Sequence, residues 1–341
     1  MAGENNIGLT KSDYRGAPTT LCAGCGHNSI NNQIMSAAYE LDIVPEHIVK
    51  FSGIGCSSKS PTYFLSRSFG FNSLHGRMPT VATGAMFGDH NLKAIAMSGD
   101  GDTSNIGMGH FKHVMRRNLP LVYIVANNGV YGLTKGQFSA TAELGLRLKN
   151  QGENFYMPID IVLEALASSA TFVARSFAGD ASQVKELIKA AMSHDGIAVL
   201  DIISPCVTFN NRDESHHSYS WGREHREMLH DFNYIPKKQE IMIEEEFPAG
   251  SIQQVTMHDG SKIVLQKLDL DYDPTDRINA IKTVQEANKD DILLTGLIFV
   301  DTSSNSLVDF YNLSDKPMNR MKQDELRPSA EALKKINVKM F

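Results

Sequence analysis

The chain has 341 residues and little cysteine: only Cys22, Cys25, Cys56 and Cys206. So few thiols in a chain this long exclude a disulfide scaffold and fit a reducing compartment. There is no basic excess, since 33 lysines and arginines stand against 39 acidic residues, a net charge of −6. That balance excludes a polyanion binder held by bulk charge, so no nucleic-acid partner is expected. The longest apolar run, near Leu121–Ala126, is far too short to cross a bilayer. The start, Met1-Ala2-Gly3-Glu4-Asn5-Asn6, lacks the basic residues and apolar stretch of a secretory leader. The expectation is a soluble cytoplasmic protein with no membrane partner. Internal repeats and low-complexity segments are also absent. Against these absences, 42% hydrophobic and 21% charged residues suffice for a packed core and exclude disorder as a class.

Apolar periodicity alternates between strand and helix over the first two hundred residues. Ile30, Ile34, Ala37 and Leu41 share a helix face. The short strand Ile48-Val49-Lys50-Phe51 ends in the turn Ser52-Gly53-Ile54-Gly55-Cys56, and residues 57–79 read as loop-rich. The clearest unit is a crossover: a buried strand over residues 92–97, a helix through Phe111, Val114 and Met115, and a strand over residues 119–126. Such a length suits two parallel strands joined by a helix. Further helices carry Val162 and Leu166, then Val184, Leu187 and Ile188, with strands over residues 171–177 and 198–203. This alternation predicts an α/β fold, a mostly parallel sheet with helices on both faces. After Cys206 the texture changes. Residues 208–234 are rich in histidine, asparagine and arginine, Asp259-Gly260 reads as a hairpin turn, a helix is expected over 275–287, and the tail beyond Leu313 is polar. The expected division is an α/β domain, 1–206, and a C-terminal extension, 207–341, packing on the core or on a partner.

Gly99-Asp100-Gly101-Asp102 falls where the first crossover strand ends, the edge at which open α/β sheets bind ligands. Glycines admit a phosphate to the backbone, and Asp102, Thr103 and Ser104 are candidate caps for the following helix. A carboxylate beside a phosphate repels it unless a cation lies between, so Asp100 reads as a ligand for a hard divalent ion. The next strand ends in Asn127-Asn128-Gly129-Val130-Tyr131-Gly132, where the Asn128 side chain and the Val130 carbonyl are oxygen donors suited to magnesium. Taken singly, either segment is an ordinary turn. Together, in one crossover, they point to a metal-bridged diphosphate. Neither a Gly-x-Gly-x-x-Gly nor a Gly-x-x-x-x-Gly-Lys-Ser/Thr segment is present to support a dinucleotide or P-loop site.

The cysteine spacing alone leaves several uses open. Four thiolates can hold a [4Fe–4S] cluster. Structural zinc also takes four, although it usually shows two close pairs, and Cys56 and Cys206 are isolated. A redox pair at Cys22 and Cys25 lacks a preceding buried strand, and inert buried cysteine is a further reading.

The Gly-Asp-Gly turn with Asn128 resembles the diphosphate motif of thiamine diphosphate enzymes, which implies magnesium ligation by Asp100, Asn128 and Val130. More specifically, Cys-x-x-Cys-Gly-His, Gly-Ile-Gly-Cys-Ser-Ser-Lys, Leu-His-Gly-Arg, Gly-Asp-Gly-Asp and Tyr-Gly-Leu-Thr-Lys-Gly-Gln follow in unbroken order over about residues 15–215. This order resembles the β subunit of 2-oxoacid:ferredoxin oxidoreductases, the two-subunit 2-oxoglutarate type above all. Lys135 departs from the pattern, since many relatives carry glycine there, and bears on the subtype. The resemblance implies one [4Fe–4S] cluster on Cys22, Cys25, Cys56 and Cys206. It implies thiamine diphosphate contacts from Ile54, Gly55, Cys56, Ser57, His75, Gly101, Asp102, Gly132 and Leu133. Lys59 corresponds to a position that meets the substrate carboxylate, where a cation suits a dicarboxylate. His27 stands near the cofactor or caps the following helix.

The implied reaction is decarboxylation of a 2-oxoacid on the thiazolium, electron removal by the cluster and acyl transfer to coenzyme A, reversible with a strong reductant. The chain carries only the diphosphate half. An α subunit bearing the pyrimidine-binding domain and its activating glutamate is therefore an implied partner, with an (αβ)₂ assembly and a docked ferredoxin. Pyruvate or broad 2-oxoacid specificity, a thiamine-dependent decarboxylase with zinc, and a non-catalytic iron–sulfur scaffold are the rival readings.

Overall fold

The computed structural model describes residues 3–149, 151–209, 248–256 and 262–340. Its centre is a nine-stranded sheet. The strands that concern the site are β1 (Ile48–Ser52), β2 (Phe69–Asn72), β3 (Lys93–Gly99) and β4 (Leu121–Asn127). The short strands β5 (Val130–Tyr131) and β6 (Gln137–Phe138) form one hairpin, and β7 (Arg147–Leu148) and β8 (Gly152–Glu153) another. Then come β9 (Phe172–Phe177), β10 (Ile197–Ile203), β11 (Ile252–Thr256), β12 (Lys262–Lys267) and β13 (Ile292–Val300). The order across the sheet is β11-β12-β13-β9-β10-β4-β3-β1-β2, and the run from β9 to β2 is parallel throughout.

Strand β4 shows why the sheet lies between two layers. Leu121, Tyr123 and Val125 face one core and Val122, Ile124 and Ala126 the other, as a period of two requires of a strand buried on both sides. The first core is closed by helices α3 (Met78–Gly88), α4 (Met108–Arg116), α5 (Ile161–Ala167) and α7 (Arg277–Lys289). The second is closed by α1 (Gly26–Glu40) and α6 (Ala181–Ser193). The expected α/β architecture, a mostly parallel sheet with helices on both faces, is what forms. A short helix, α2 (Ser60–Tyr63), lies between β1 and β2.

Three local features differ from the sequence reading. Residues 57–79, expected to be loop-rich, hold α2, β2 and the start of α3. Strand β2 is a four-residue exposed edge, too short for its Phe69/Phe71 alternation to announce it. The segment after Gly-Asp-Gly winds first as a π-helical turn, Gly101–Ile106, before α4 begins. Asp102, Thr103 and Ser104 cap nothing there. Ser104 Oγ donates back to the Asp100 carbonyl at 2.6 Å, and Asp102 turns elsewhere. Strand β13 is the third, and it extends the sheet by pairing antiparallel to β9. β11 and β12 pair antiparallel, while their expected Asp259-Gly260 turn and most of the histidine-rich stretch lie outside the described residues. Among the described residues no helix is long and apolar enough to cross a membrane.

Candidate active site

Four adjacent parallel strands, β10, β4, β3 and β1, end at the same edge of the sheet. Their carboxyl ends deliver Ser204–Cys206, Asn128–Gly132, Asp100–Asp102 and Gly53–Cys56, so positions far apart in sequence share one rim. Between them lies an open cleft. It is lined by His27, Ile54–Ser57, Gly99–Asp102, Ala126, Asn128 and Val130–Gly132.

The glycines make this closeness possible. A Cβ at Gly53 would fall 2.0 Å from Asp102 Oδ2, and one at Gly101 only 2.5 Å from the Tyr131 ring. The Asp102 carboxylate accepts from Gly76 N at 2.7 Å and Ser98 Oγ at 2.8 Å, which ties the 73–77 loop to the rim. Tyr131, which sequence reasoning left without a role, donates to the Gly101 carbonyl at 2.8 Å. Burial, then the Asp100 and Asp102 carboxylates, push its phenol up to about 12, so it remains a donor.

Asp100 is fully buried and forms no ion pair among the described residues. Burial raises its pKa, opposed by hydrogen bonds from Ser139, Thr141 and the Asn128 backbone. Ser139 and Thr141 were missed in the sequence because no motif marks them; the β5–β6 hairpin returns them to the rim. Asn128 Oδ1 accepts from Val130 N at 3.1 Å and keeps a second lone pair. Asp100, Asn128 and Val130 are therefore brought to one cleft.

His27 is buried in α1, with Nδ1 2.6 Å from Ser204 Oγ. Burial pushes it down to about 4, so the ring in the cleft is neutral at physiological pH. Lys59 ends the short turn Cys56–Lys59 half-buried, with no ion pair among the described residues, and its charge opposes the upward shift at Cys56. His75 is exposed and Leu133 is 49% exposed; neither lines the cleft. Lys135 adopts φ +76°, in the left-handed region that favours glycine.

None of the four cysteines is in a disulfide. Cys25 precedes α1, and the Gly26 N–H donates to the Pro205 carbonyl at 3.3 Å, drawing the first pair against Cys206. Cys22 Sγ lies 3.1 Å from Thr208 Oγ1. A Cβ on Gly132 would stand 3.4 Å from Cys206 Sγ and 3.5 Å from Cys56 Sγ. Burial raises the pKa of Cys25, which also feels the negative charge of Cys206, Cys22 and Cys56. The sulfurs thus form one electrostatic neighbourhood beside the cleft. Among the described residues no three His, Cys, Asp or Glu side chains close on a point for a single metal ion.

Comparison with known proteins agrees with this geometry. Residues 53–202 match the family described as thiamine pyrophosphate enzyme, C-terminal TPP binding domain. The chain is 44% identical over 191 residues to a 2-oxoacid:ferredoxin oxidoreductase subunit beta of Saccharolobus solfataricus, covering 56% of this chain and 63% of that one. It is 35% identical over 196 residues to the 2-oxoglutarate synthase subunit KorB of Methanocaldococcus jannaschii, covering 57% and 72%. The match to the first of these thus spans less than two thirds of its length. Among solved structures, the 2-oxoglutarate:ferredoxin oxidoreductase of Magnetococcus marinus, with 2-oxoglutarate, coenzyme A and succinyl-CoA bound, aligns at a TM-score of 0.73 and 28% identity over 98% of this chain and 97% of its own. On these findings the chain belongs to the family of 2-oxoacid:ferredoxin oxidoreductase β subunits.

Proposed function

We propose that this chain is the β subunit of a 2-oxoglutarate:ferredoxin oxidoreductase, converting 2-oxoglutarate and coenzyme A to succinyl-CoA and carbon dioxide while reducing ferredoxin, reversibly. One observation carries the reading: Cys56 lines the cleft and is also a member of the four-cysteine neighbourhood. A diphosphate site and an electron acceptor held there would be in direct contact.

The residues fit both inorganic groups. A buried carboxylate with no cationic partner among the described residues, beside an amide oxygen with a spare lone pair, suits magnesium between protein and diphosphate. Asp100, Asn128 and Val130 would hold it. Burial disfavours the thiolate at Cys25, Cys56 and Cys206, so these sulfurs need positive charge beside them, which metal ions supply. A [4Fe–4S] cluster on Cys22, Cys25, Cys56 and Cys206 is the reading we prefer to structural zinc, which usually takes two close pairs, whereas Cys56 and Cys206 are isolated in the sequence.

Thiamine diphosphate supplies an electron sink for decarboxylation, and the cluster takes electrons singly. This chain's residues prepare the site. The Gly101–Asp102 backbone, the Ile54–Ser57 turn and Gly132, all lining the cleft, would hold the cofactor. His75 and Leu133, outside this lining, would contact the cofactor from beyond the cleft. Neutral His27 offers a hydrogen bond without adding charge. Lys59 pairs with the distal carboxylate of the substrate. The glutamate that activates the aminopyrimidine comes from an α subunit in an (αβ)₂ assembly. The cofactor-holding part is 1–206, and the extension 207–341 packs on it through β13.

The archaeal relative named for 2-oxoacids in general favours a second reading, broad specificity including pyruvate. Oxygen-free assay of the co-produced αβ enzyme with several 2-oxoacids decides between them. A clear preference for 2-oxoglutarate supports the first, equal rates support the second, and no ferredoxin reduction with any 2-oxoacid overturns both.

A further inference from the structure

Beneath the rim, a line of buried and half-buried polar side chains crosses the sheet. Thr141 Oγ1 stands 2.7 Å from Asp100 Oδ2 and 3.0 Å from Asn127 Oδ1, and donates its one proton to either. Asn127, at the end of β4, donates from Nδ2 to Asp201 Oδ1 on β10 at 3.0 Å. That bond fixes the amide so that its oxygen faces Thr141. Arg175, on β9, reaches Asp201 Oδ2 at 3.0 Å and Asp160 Oδ1 at 2.6 Å. Asp160 in turn caps α5, accepting from Val162 N at 2.8 Å and Leu163 N at 3.1 Å. Asp100 and Asp201 are each 1% exposed and Arg175 is 4% exposed, so water competes little for these bonds.

We propose that this chain, Thr141–Asn127–Asp201–Arg175–Asp160, positions the Asp100 carboxylate for its divalent cation from across the sheet, making Thr141 and Asp201 positioning residues for metal binding. The inference rests on the reading of Asp100 as a magnesium ligand. Two facts give it direction. The line and Ser139 both engage Oδ2, whereas among the described residues Oδ1 has only a long contact, 3.4 Å, to Asn128 N. Oδ1 is therefore the oxygen left for the cation. Second, a buried arginine between two carboxylates is a poor source of net stability, because apolar residues of like volume often serve as well. A fixed orientation is what the polar arrangement adds, and ligating carboxylates depend on such outer partners.

The test uses the co-produced αβ enzyme freed of thiamine and magnesium, titrated with Mn²⁺ in the presence of thiamine diphosphate and followed by EPR. The visible spectrum and thermal midpoint report folding. Thr141→Val should weaken Mn²⁺ binding about ten- to hundredfold, and Thr141→Ser, which keeps the hydroxyl, should restore it. Asp201→Asn should weaken it too, and the double variant should lose less than the product of the single losses. Unchanged binding in Thr141→Val, equal losses in the Ser and Val variants, or fully multiplicative losses would overturn the proposal. Asp100→Asn separates the two levels. Lost binding there with normal binding in Thr141→Val sinks the positioning role alone, and normal binding in Asp100→Asn sinks the metal assignment with it.

Discussion

The Tyr131 hydroxyl donates to the Gly101 carbonyl at 2.8 Å, joining the two strand ends that form the diphosphate side of the cleft. The contact is close because Gly101 has no side chain: a Cβ there would lie 2.5 Å from the ring. Gly101→Ala must push the ring or the turn aside. Thiamine diphosphate affinity, measured by calorimetry on cofactor-free αβ enzyme, should fall by tenfold or more, about 1.4 kcal/mol. Tyr131→Phe removes one hydrogen bond and should cost about 1 kcal/mol. Wild-type affinity in Gly101→Ala would show that this approach does not shape the site.

Asp100→Ala removes the buried carboxylate at the end of β3. The variant should lose magnesium and thiamine diphosphate while the iron–sulfur absorption persists, because Asp100 follows β3 whereas the cysteines precede α1 or follow β1 and β10. Thiamine released on denaturation and quantified by fluorescence checks this. Retained thiamine with full activity would defeat the diphosphate assignment.

Lys59→Ala should raise KM for 2-oxoglutarate far more than for pyruvate, since only the former has a distal carboxylate. A charge-assisted hydrogen bond of about 1.5–3 kcal/mol corresponds to a ten- to hundredfold change, roughly. Equal losses on both substrates would remove Lys59 from specificity.

Lys50 presents a pH dependence with a definite sign. Its ammonium is buried and donates to the carbonyls of Pro61, Phe64 and Leu65 at 2.7–2.8 Å. Burial lowers its pKa to about 8, from 10.5. Between those values the unfolded chain holds more protons, so this group's contribution to stability rises with pH and is flat below 8. Relative to Lys50→Met, the wild-type β subunit should gain about 1–3 kcal/mol between pH 8 and 10.5 in urea unfolding. Parallel pH profiles would contradict it.

Much of this was legible in the sequence. Strands β3, β4 and β10 are apolar runs that stop at glycine, asparagine or serine, so both the parallel sheet and the rim could be read, and with them Asp100, Asn128 and Val130. The rest was hidden for identifiable reasons. Ser139 and Thr141 belong to no motif and reach Asp100 only through a hairpin. Arg175 and Asp201 sit inside strands otherwise read as apolar, and their pairing depends on strand order. Strand β2 is a short exposed edge, and the π-helical turn at Gly101–Ile106 has no sequence period of its own.

The most direct test of the account follows the cluster while substrate is turned over. Anaerobically co-purified αβ enzyme should be brown, and 2-oxoglutarate with coenzyme A should bleach its visible absorption and produce the EPR signal of a reduced [4Fe–4S] centre. A colourless preparation carrying stoichiometric zinc, or a coloured one that substrate leaves unbleached, would contradict it.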